Sequence, residues 1–287
     1  MKILRTIPEM RAACRAARET GKRLGLVPTM GALHAGHLSL VRAARAQCDV
    51  VAVSIFVNPT QFGPTEDFEK YPRSLERDCE LLEREAVDLV FAPAVAEMYP
   101  PGAVTWVTVE GLSQRMCGAS RPGHFRGVTT VVSKLLHVVE PDAAFFGQKD
   151  AAQCTIIRKM VRDLDMGVAI VTCPIVREPD GLAMSSRNAY LDPAQRASAT
   201  VLHRSLRRVE DLWKKGERGS AKLIDAAQRI FLEEPDVRLD YVEIVNNDTL
   251  DPVEGVSSGA LVAVAAFVGS TRLIDNLLLP PSTKETS

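Results

Sequence analysis

Apolar residues along this chain fall into two recurring patterns. Short runs at 24–27 (LGLV), 50–57 (VVAVSIFV) and 143–146 (AAFF) are apolar without regular alternation, as a strand covered on both faces requires. Between the first two, Leu38, Leu40, Val41, Ala44 and Ala46 recur at helical spacing. Strand, glycine-bearing turn, helix and strand make a βαβ unit with the usual right-handed crossover. Upstream, Thr6-Ile7-Pro8-Glu9 has the form of a capping box with proline in the first turn, and predicts a helix ending near Gly21. Downstream the pattern predicts a helix opened by residues 72–78, strands at 88–93 and 104–109, and a glycine- and arginine-rich loop at 118–127. A helix at 128–139 stopped by Pro141, the 143–146 strand, a helix to about 164 and a strand at 168–176 follow.

Past residue 176 the pattern changes. Residues 177–188, REPDGLAMSSRN, read as a polar loop with little apolar anchoring. A helix from about 193 to 215, a break at 216–219, a helix to about 233 and two or three strands at 240–246, 260–268 and 273–278 come next. Helices followed by strands suggest an α+β unit rather than more parallel sheet. The fold class expected is α/β: a Rossmann-like open parallel sheet in a domain at 1–178, with a smaller α+β domain at 179–287.

Composition narrows the class. At 287 residues the chain suffices for one large or two ordinary domains, and 46% hydrophobic with 25% charged residues is ordinary for a soluble globular protein. A net charge of −1 gives no global pull toward nucleic acid or membrane, so neither is an expected partner, while a local basic pocket is still allowed. The longest apolar run, 260–268, is far too short for a membrane span. Six scattered cysteines, with no close pair and no Cys-His cluster at ligand spacing, read as reduced thiols in a cytoplasmic protein and argue against structural zinc. Glu9 and Glu19 interrupt the Arg-rich N-terminus, which reads as a helix of the fold rather than a transit segment.

Candidate chemistry gathers at strand ends. His34 and His37, spaced i, i+3 where a helix begins, stand beside backbone N–H groups that lack intrahelical acceptors, an arrangement that attracts anions. Gly31 and Gly36 let a ligand approach the backbone. Asn58 and Gln61 follow the second strand; Lys149, Asp150 and Gln153 follow the 145–146 strand. A parallel sheet brings such turns to one rim. Singly, each has a blander reading: a cap or surface histidine, an exposed Lys149–Asp150 pair, a solvated linker at Ser185–Asn188, a loop role for His124, and helix-surface positions for His137 and His203. Their joint placement favours a site. There is no Walker pattern, GxGxxG, Ser-His-Asp set or paired carboxylate.

Five ordered stretches, PTMGALHAGH (28–37), SIFVNPTQF (54–62), RPGHFRGV (121–128), FFGQKD (145–150) and GLAMSSRN (181–188), resemble the pantoate–β-alanine ligase family across essentially the whole chain. The first is similar to the HxGH signature shared with nucleotidyltransferases and class I aminoacyl-tRNA synthetases. The resemblance implies a two-step ligation of pantoate and β-alanine through a pantoyl adenylate. ATP is then a substrate, accompanied by Mg²⁺ whose ligands the sequence does not name. It also implies a homodimer. By the same resemblance Met30, Gly31, Ala32, Leu33, His34, Ala35, Gly36 and His37 form the ATP-binding turn. Gly147, Gln148, Lys149 and Asp150 form a second ATP segment, with the Val176 backbone on adenine and Met184, Ser185, Ser186 and Arg187 closing over the triphosphate. His34, His37 and Lys149 carry the catalytic assignment, with proton donation by His37 left open. Gln61 and Gln153 hold pantoate, and Gln61 also lies near β-alanine. The second domain, next to the ATP-covering loop, is expected to act as a lid. Ala35 departs from a commonly acidic position, and Ala151-Ala152 from bulkier or amide residues.

Two other readings stand beside this one. A related adenylyl- or nucleotidyltransferase would share the histidine turn, but the neutral amides Gln61 and Gln153 suit a small hydroxy acid better than a second phosphate. A catalytically silent nucleotide- or RNA-binding relative is disfavoured by the near-zero net charge and by intact His34, His37, Lys149 and Arg187.

Overall fold

A computed structural model of the chain describes residues 1–64 and 66–282. They form two compact units, one made of the described residues among 1–148 with 152–174, the other of residues 149–151 with 175–282.

The first unit is built on a parallel sheet. Its strands are β1 (Lys2–Leu4), β2 (Leu24–Thr29), β3 (Val50–Ile55), β4 (Leu89–Phe91), β5 (Ala143–Gly147) and β6 (Ala169–Cys173), in spatial order β1-β4-β3-β2-β5-β6. Helices α1 (Ile7–Glu19), α2 (Ala35–Arg45), α3 (Leu75–Arg84), α4 (Val95–Met98), α5 (Cys117–Ser120), α6 (His124–Val139) and α7 (Ala151–Asp163) lie between them in the chain. The predicted capping box at α1 is present: the Thr6 side chain accepts from the Glu9 amide, and the Glu9 carboxylate accepts from the Thr6 amide. The unalternated runs are central strands, and all of 50–54 is buried. One core joins Val27, Val51, Val53 and Phe145 of the sheet to Leu40, Val41 and Ala44 of α2 and to Cys79 and Leu82 of α3.

Three features of the first unit differ from the sequence-based expectation. Strand β1 precedes the first helix and pairs with β4; with three residues, and Ile3 46% exposed, it is too short to show a pattern. Residues 104–109 are not a strand. Among the described residues no strand pairs with them; instead the Val107 amide donates to Thr130 Oγ1 and the Val107 carbonyl accepts from Thr129 Oγ1, both on α6. The 118–127 loop is half helical, because α5 ends at Ser120 and α6 begins at His124 behind Gly123 in the left-handed region.

The second unit packs helices α8 (Pro193–Ser198), α9 (Val201–Lys214) and α10 (Ser220–Phe231) with a three-stranded antiparallel sheet of β7 (Val237–Val245), β8 (Ala260–Val268) and β9 (Thr271–Leu279). The predicted long helix at 193–215 is broken at Ala199 and Thr200 into α8 and α9. Its core includes Leu202, Leu206, Leu223, Val262 and Val264. Leu182 of the 177–188 loop belongs to that core, so the loop is anchored, contrary to its polar composition. Leu182 and Ala183 are each 3% exposed, and Arg177 and Ala183 pair as an isolated antiparallel bridge. Among the described residues no helix is long and apolar enough to cross a membrane.

Candidate active site

The chain leaves β2 for β3 and β4 on one side and resumes with β5 and β6 on the other, so the topological switch point lies between β2 and β5. Pairing there is confined to Gly25 with Ala143 and Leu26 with Ala144, although β2 runs on to Thr29 and β5 to Gly147. Each stays paired to its other neighbour to the end, Thr29 with Ile55 and Gly147 with Cys173. The sheet therefore opens at the strand ends where ligands of open α/β folds bind. The histidine turn follows β2, the Asn58–Gln61 turn follows β3, and Gln153, half-buried, lies in the first turn of α7 after β5.

The histidine turn is held by a carboxylate from another element. Asp78 of α3 is 1% exposed, and its Oδ2 and Oδ1 accept from the amides of Ala32 at 2.9 Å and Leu33 at 2.8 Å. Burial pushes the Asp78 carboxyl up, against the pull of those two amides. Gly31 is needed here twice, because its φ is +84° and a Cβ would meet Asp78 Oδ2 at 2.8 Å. Ala32, with φ +51°, holds a left-handed conformation costing a non-glycine residue about 1–2 kcal/mol. Two backbone amides of the motif are thus committed to an internal anion.

The histidines themselves cap α2. His34 is its N-cap, with Nδ1 accepting the Gly36 amide at 3.1 Å, and His37 Nδ1 accepts the His34 amide at 3.3 Å. The His37 and Leu38 amides donate to the His34 carbonyl. A ring nitrogen that accepts an N–H keeps its lone pair, so each ring carries its proton on Nε2. The rings lie 4.1 Å apart between centroids.

Gln61 ends a short 3-10 turn over Pro59–Gln61. Asn58, 1% exposed, accepts at Oδ1 from the Thr60 amide and hydroxyl, which fixes its amide orientation. Its Nδ2 then donates to the Gly127 carbonyl and to Gln61 Oε1, both at 3.1 Å. Gln61 Nε2 stands 3.0 Å from Met30 Sδ, so Gln61 meets the histidine motif and turns its amino group, a donor, toward it.

In the second unit, Lys149 and Asp150 are 3.9 Å apart, and the Lys149 carbonyl accepts from Asn276 Nδ2 at 2.9 Å. The Val176 carbonyl accepts the Met184 amide. Ser185 caps a 3-10 turn over Ser186–Tyr190 by accepting the Arg187 amide at 3.2 Å. Met184, Ser185, Ser186 and Arg187 are half-buried. The root of this loop is the bidentate Arg177–Asp275 pair at 2.6 and 3.0 Å, with Asp275 3% exposed. His203, expected on a helix surface, is half-buried instead, and a Cβ on Gly181 would fall 2.1 Å from its Cδ2.

A family model described as Pantoate-beta-alanine ligase matches residues 2–278. The chain belongs to the pantoate–β-alanine ligase family. A pantothenate synthetase of Koribacter versatilis (strain Ellin345) is 60% identical over 279 residues, 97% of this chain and 96% of that protein. The crystal structure of pantothenate synthetase from Thermus thermophilus is similar with TM-score 0.93 at 47% identity, covering 98% of this chain and 100% of that one. The pantoate-β-alanine ligase of Francisella tularensis, in a crystal structure complexed with β-γ ATP and β-alanine, has TM-score 0.80 at 33% identity with the same coverage.

The family motifs quoted from sequence left out part of what holds them. Asp78 is the clearest omission. Its signal was present, since Leu75, Asp78, Cys79 and Leu82 share one helix face and a carboxylate among apolar neighbours asks for a partner. Arg121, His124 and Gly127 of the ligase's third motif were read without a task, and no spacing argument joins them to Gln61, 60 or more residues earlier.

Proposed function

We propose that this member of the pantoate–β-alanine ligase family joins pantoate to β-alanine at the expense of ATP. The pantoate carboxylate attacks the α-phosphorus, pyrophosphate leaves, and a pantoyl adenylate remains. The β-alanine amine then attacks the acyl carbon and AMP leaves. The family match over residues 2–278 is the observation that carries this reading.

The chemistry of the first step brings two anions together, so donors that screen phosphate charge count for more than a protein nucleophile. His34 and His37 act as neutral Nε2–H donors to phosphate oxygens; with Nδ1 committed to a backbone amide, charge stabilisation is their role and proton transfer is not. By the family resemblance, Met30 to His37 with Gly147 and Gln148 are the ATP segments of the first unit, and Lys149, Asp150, the Val176 backbone and Met184 to Arg187 are those of the second, where Lys149 and Arg187 supply positive charge. Gln61 and Gln153 bind pantoate through their amides, and Gln61 serves β-alanine as well. Among the described residues no group of three or more His, Cys, Asp or Glu is suited to hold a metal, and Mg²⁺ is read as arriving with the triphosphate. We read the protein as a cytoplasmic homodimer, which sedimentation checks.

The test is an incubation with ATP, Mg²⁺, pantoate and β-alanine in which pyrophosphate and AMP are followed as each substrate is omitted. Pyrophosphate should require pantoate, and pantothenate should require all three substrates; pyrophosphate released without pantoate overturns the ligase reading. His37→Ala should slow pyrophosphate release far more than it weakens pantoate binding. In the unaltered enzyme that rate should hold as pH rises past the ordinary histidine value of about 6.5, where a protonated donor would be lost.

A further inference from the structure

We propose that His124 is a positioning residue for Gln61, acting with Arg121 and Glu66 as a relay that fixes the substrate-facing amide from behind. The proposal rests on the reading of Gln61 as a pantoate ligand.

The turn that carries Gln61 is weakly self-held. Its internal backbone bonds, Gln61 N to Asn58 O and Phe62 N to Pro59 O, are 3.4 and 3.3 Å, near the limit of a useful hydrogen bond. Support comes from the start of α6. His124 Nδ1 lies 2.8 Å from the Gln61 carbonyl oxygen, and Arg121 Nη2 lies 3.3 Å from the same atom. Helix α6 can approach this closely because residue 127 is glycine: a Cβ there would sit 2.3 Å from the Thr60 carbonyl oxygen. The same glycine's own carbonyl takes the Asn58 side chain that orients Gln61 Oε1.

The protonation of the relay follows from its partners. Arg121 Nη1 stands 3.1 Å from His124 Nε2, and a guanidinium has only donors, so Nε2 accepts. The ring proton is therefore on Nδ1 and is donated to the Gln61 carbonyl. His124 is neutral and carries the opposite tautomer from His34 and His37. Arg121 is held in turn by Glu66, with Nε 2.7 Å from Oε1 and Nη2 2.5 Å from Oε2. Burial pushes the Glu66 carboxyl up, and the Arg121 hydrogen bonds and charge, the Gly63 amide and, last, the nearby His124 ring more than offset this, for a net downward shift. Glu66 thus stays ionised, Arg121 stays aimed at Nε2, and Nδ1–H stays aimed at Gln61.

Four proteins and one spectrum test this. In His124→Leu the KM for pantoate should rise about tenfold, the scale of one lost hydrogen bond, with the KM for ATP little changed. His124→Asn should restore most of the loss, because its side-chain amide nitrogen can stand near the place of Nδ1 and donate. Gln61→Ala should raise the pantoate KM at least as much, and the Gln61→Ala, His124→Leu double variant should be no worse than Gln61→Ala alone. Long-range ¹⁵N NMR of the histidine rings should show the Nδ1–H tautomer for His124 at neutral pH, against Nε2–H for His34 and His37. A Nε2–H or cationic His124, additive losses in the double variant, or no recovery in His124→Asn would overturn the positioning role. An unmoved pantoate KM in Gln61→Ala would overturn the reading of Gln61 instead, while the tautomer would still decide whether His124 holds that turn.

Discussion

The turn after β2 and the loop at 177–188 are both held by side chains from other elements, by different means in the main. Around the histidine turn and the neighbouring Asn58–Gln61 turn the fixing groups accept from or donate to backbone: Asp78 takes two amides of the first, and Arg121 and His124 share the Gln61 carbonyl of the second. Around the 177–188 loop the ties are mainly charge pairs between side chains, Arg177 with Asp275 and Arg196 with Glu178 and Asp180, while Arg177 and Asn188 also donate to the Gly181 and Ala183 carbonyls. Hydrogen bonds from a buried group to the backbone fix main-chain shape, and salt does not reach them. Ion pairs with one partner partly in water fix less, and salt weakens them. The first loop is built as a rigid mould, and the second is tied at its surface by charge and to the core by Leu182.

The largest expected effect is at Asp78. Asp78→Ala removes the carboxylate acceptor of the buried Leu33 amide and of the half-buried Ala32 amide, and with it the brace on a left-handed Ala32, and should cost roughly 2–4 kcal/mol in denaturant unfolding. Where the protein still folds, pyrophosphate release should fall about a hundredfold, the scale set by a misplaced phosphate-binding turn. Asp275→Ala strips an equally buried carboxylate, but the Arg177 side chain is 25% exposed and can turn to water, so a loss of about 1–3 kcal/mol is expected. Raising salt to about 0.5 M should shrink the second loss and leave the first unchanged. Equal salt dependence for the two would abolish the contrast.

The contrast also explains what the sequence could reveal. Continuous apolar runs made β2, β3 and β5 readable, and parallel topology brought His34, Gln61 and Gln153 to strand ends that adjoin the switch point. Local chemistry made the α1 capping box readable to the residue. Contacts between distant segments were not. Asp78 reaches Ala32 across 46 positions and Arg177 reaches Asp275 across 98, so neither leaves a local periodicity. Residues 104–109 failed as a strand because an apolar pattern does not say whether a sheet neighbour exists; α6 hydroxyls met their backbone instead. The polar loop at 177–188 misled through composition, since Leu182 alone commits it to the second core.

A middle-sized effect should separate the two loops by pH. His203 lies under Gly181, its Nδ1 is buried with no partner among the described residues, and burial followed by the Arg177 charge pushes its pKa below 6.5. Arg207 adds to the downward push, while Asp275 and Glu210 oppose it. Because the folded ring resists a proton that the unfolded chain accepts, stability should fall as pH drops below 6.5 and level off below the folded pKa. His203→Phe keeps a ring beneath Gly181 without titrating. The difference in Tm between the native protein and this variant should therefore shift against the native protein from pH 7.5 to pH 5.5, roughly spanning the ordinary histidine range. A flat difference would mean that the root of the loop does not sense this ring.

The smallest effect is at Arg196, which bonds Glu178 and Asp180 from α8 and is the outermost tie on the loop. The Arg196 hydrogen bonds pull the Asp180 carboxyl down against a small burial cost, as expected for an ion pair still in contact with water. With Asp180 44% exposed, Arg196→Ala should cost less than about 1 kcal/mol, and less again in high salt. Protease cleavage at the exposed Pro179–Asp180 tip should nonetheless quicken, since local opening there leaves Leu182 in the core. If Arg196→Ala cost as much as Asp275→Ala and ignored salt, the 177–188 loop would be a mould like the histidine turn. Its tethers would then be fixing backbone shape, and no separate mode of support would distinguish it from the turn after β2.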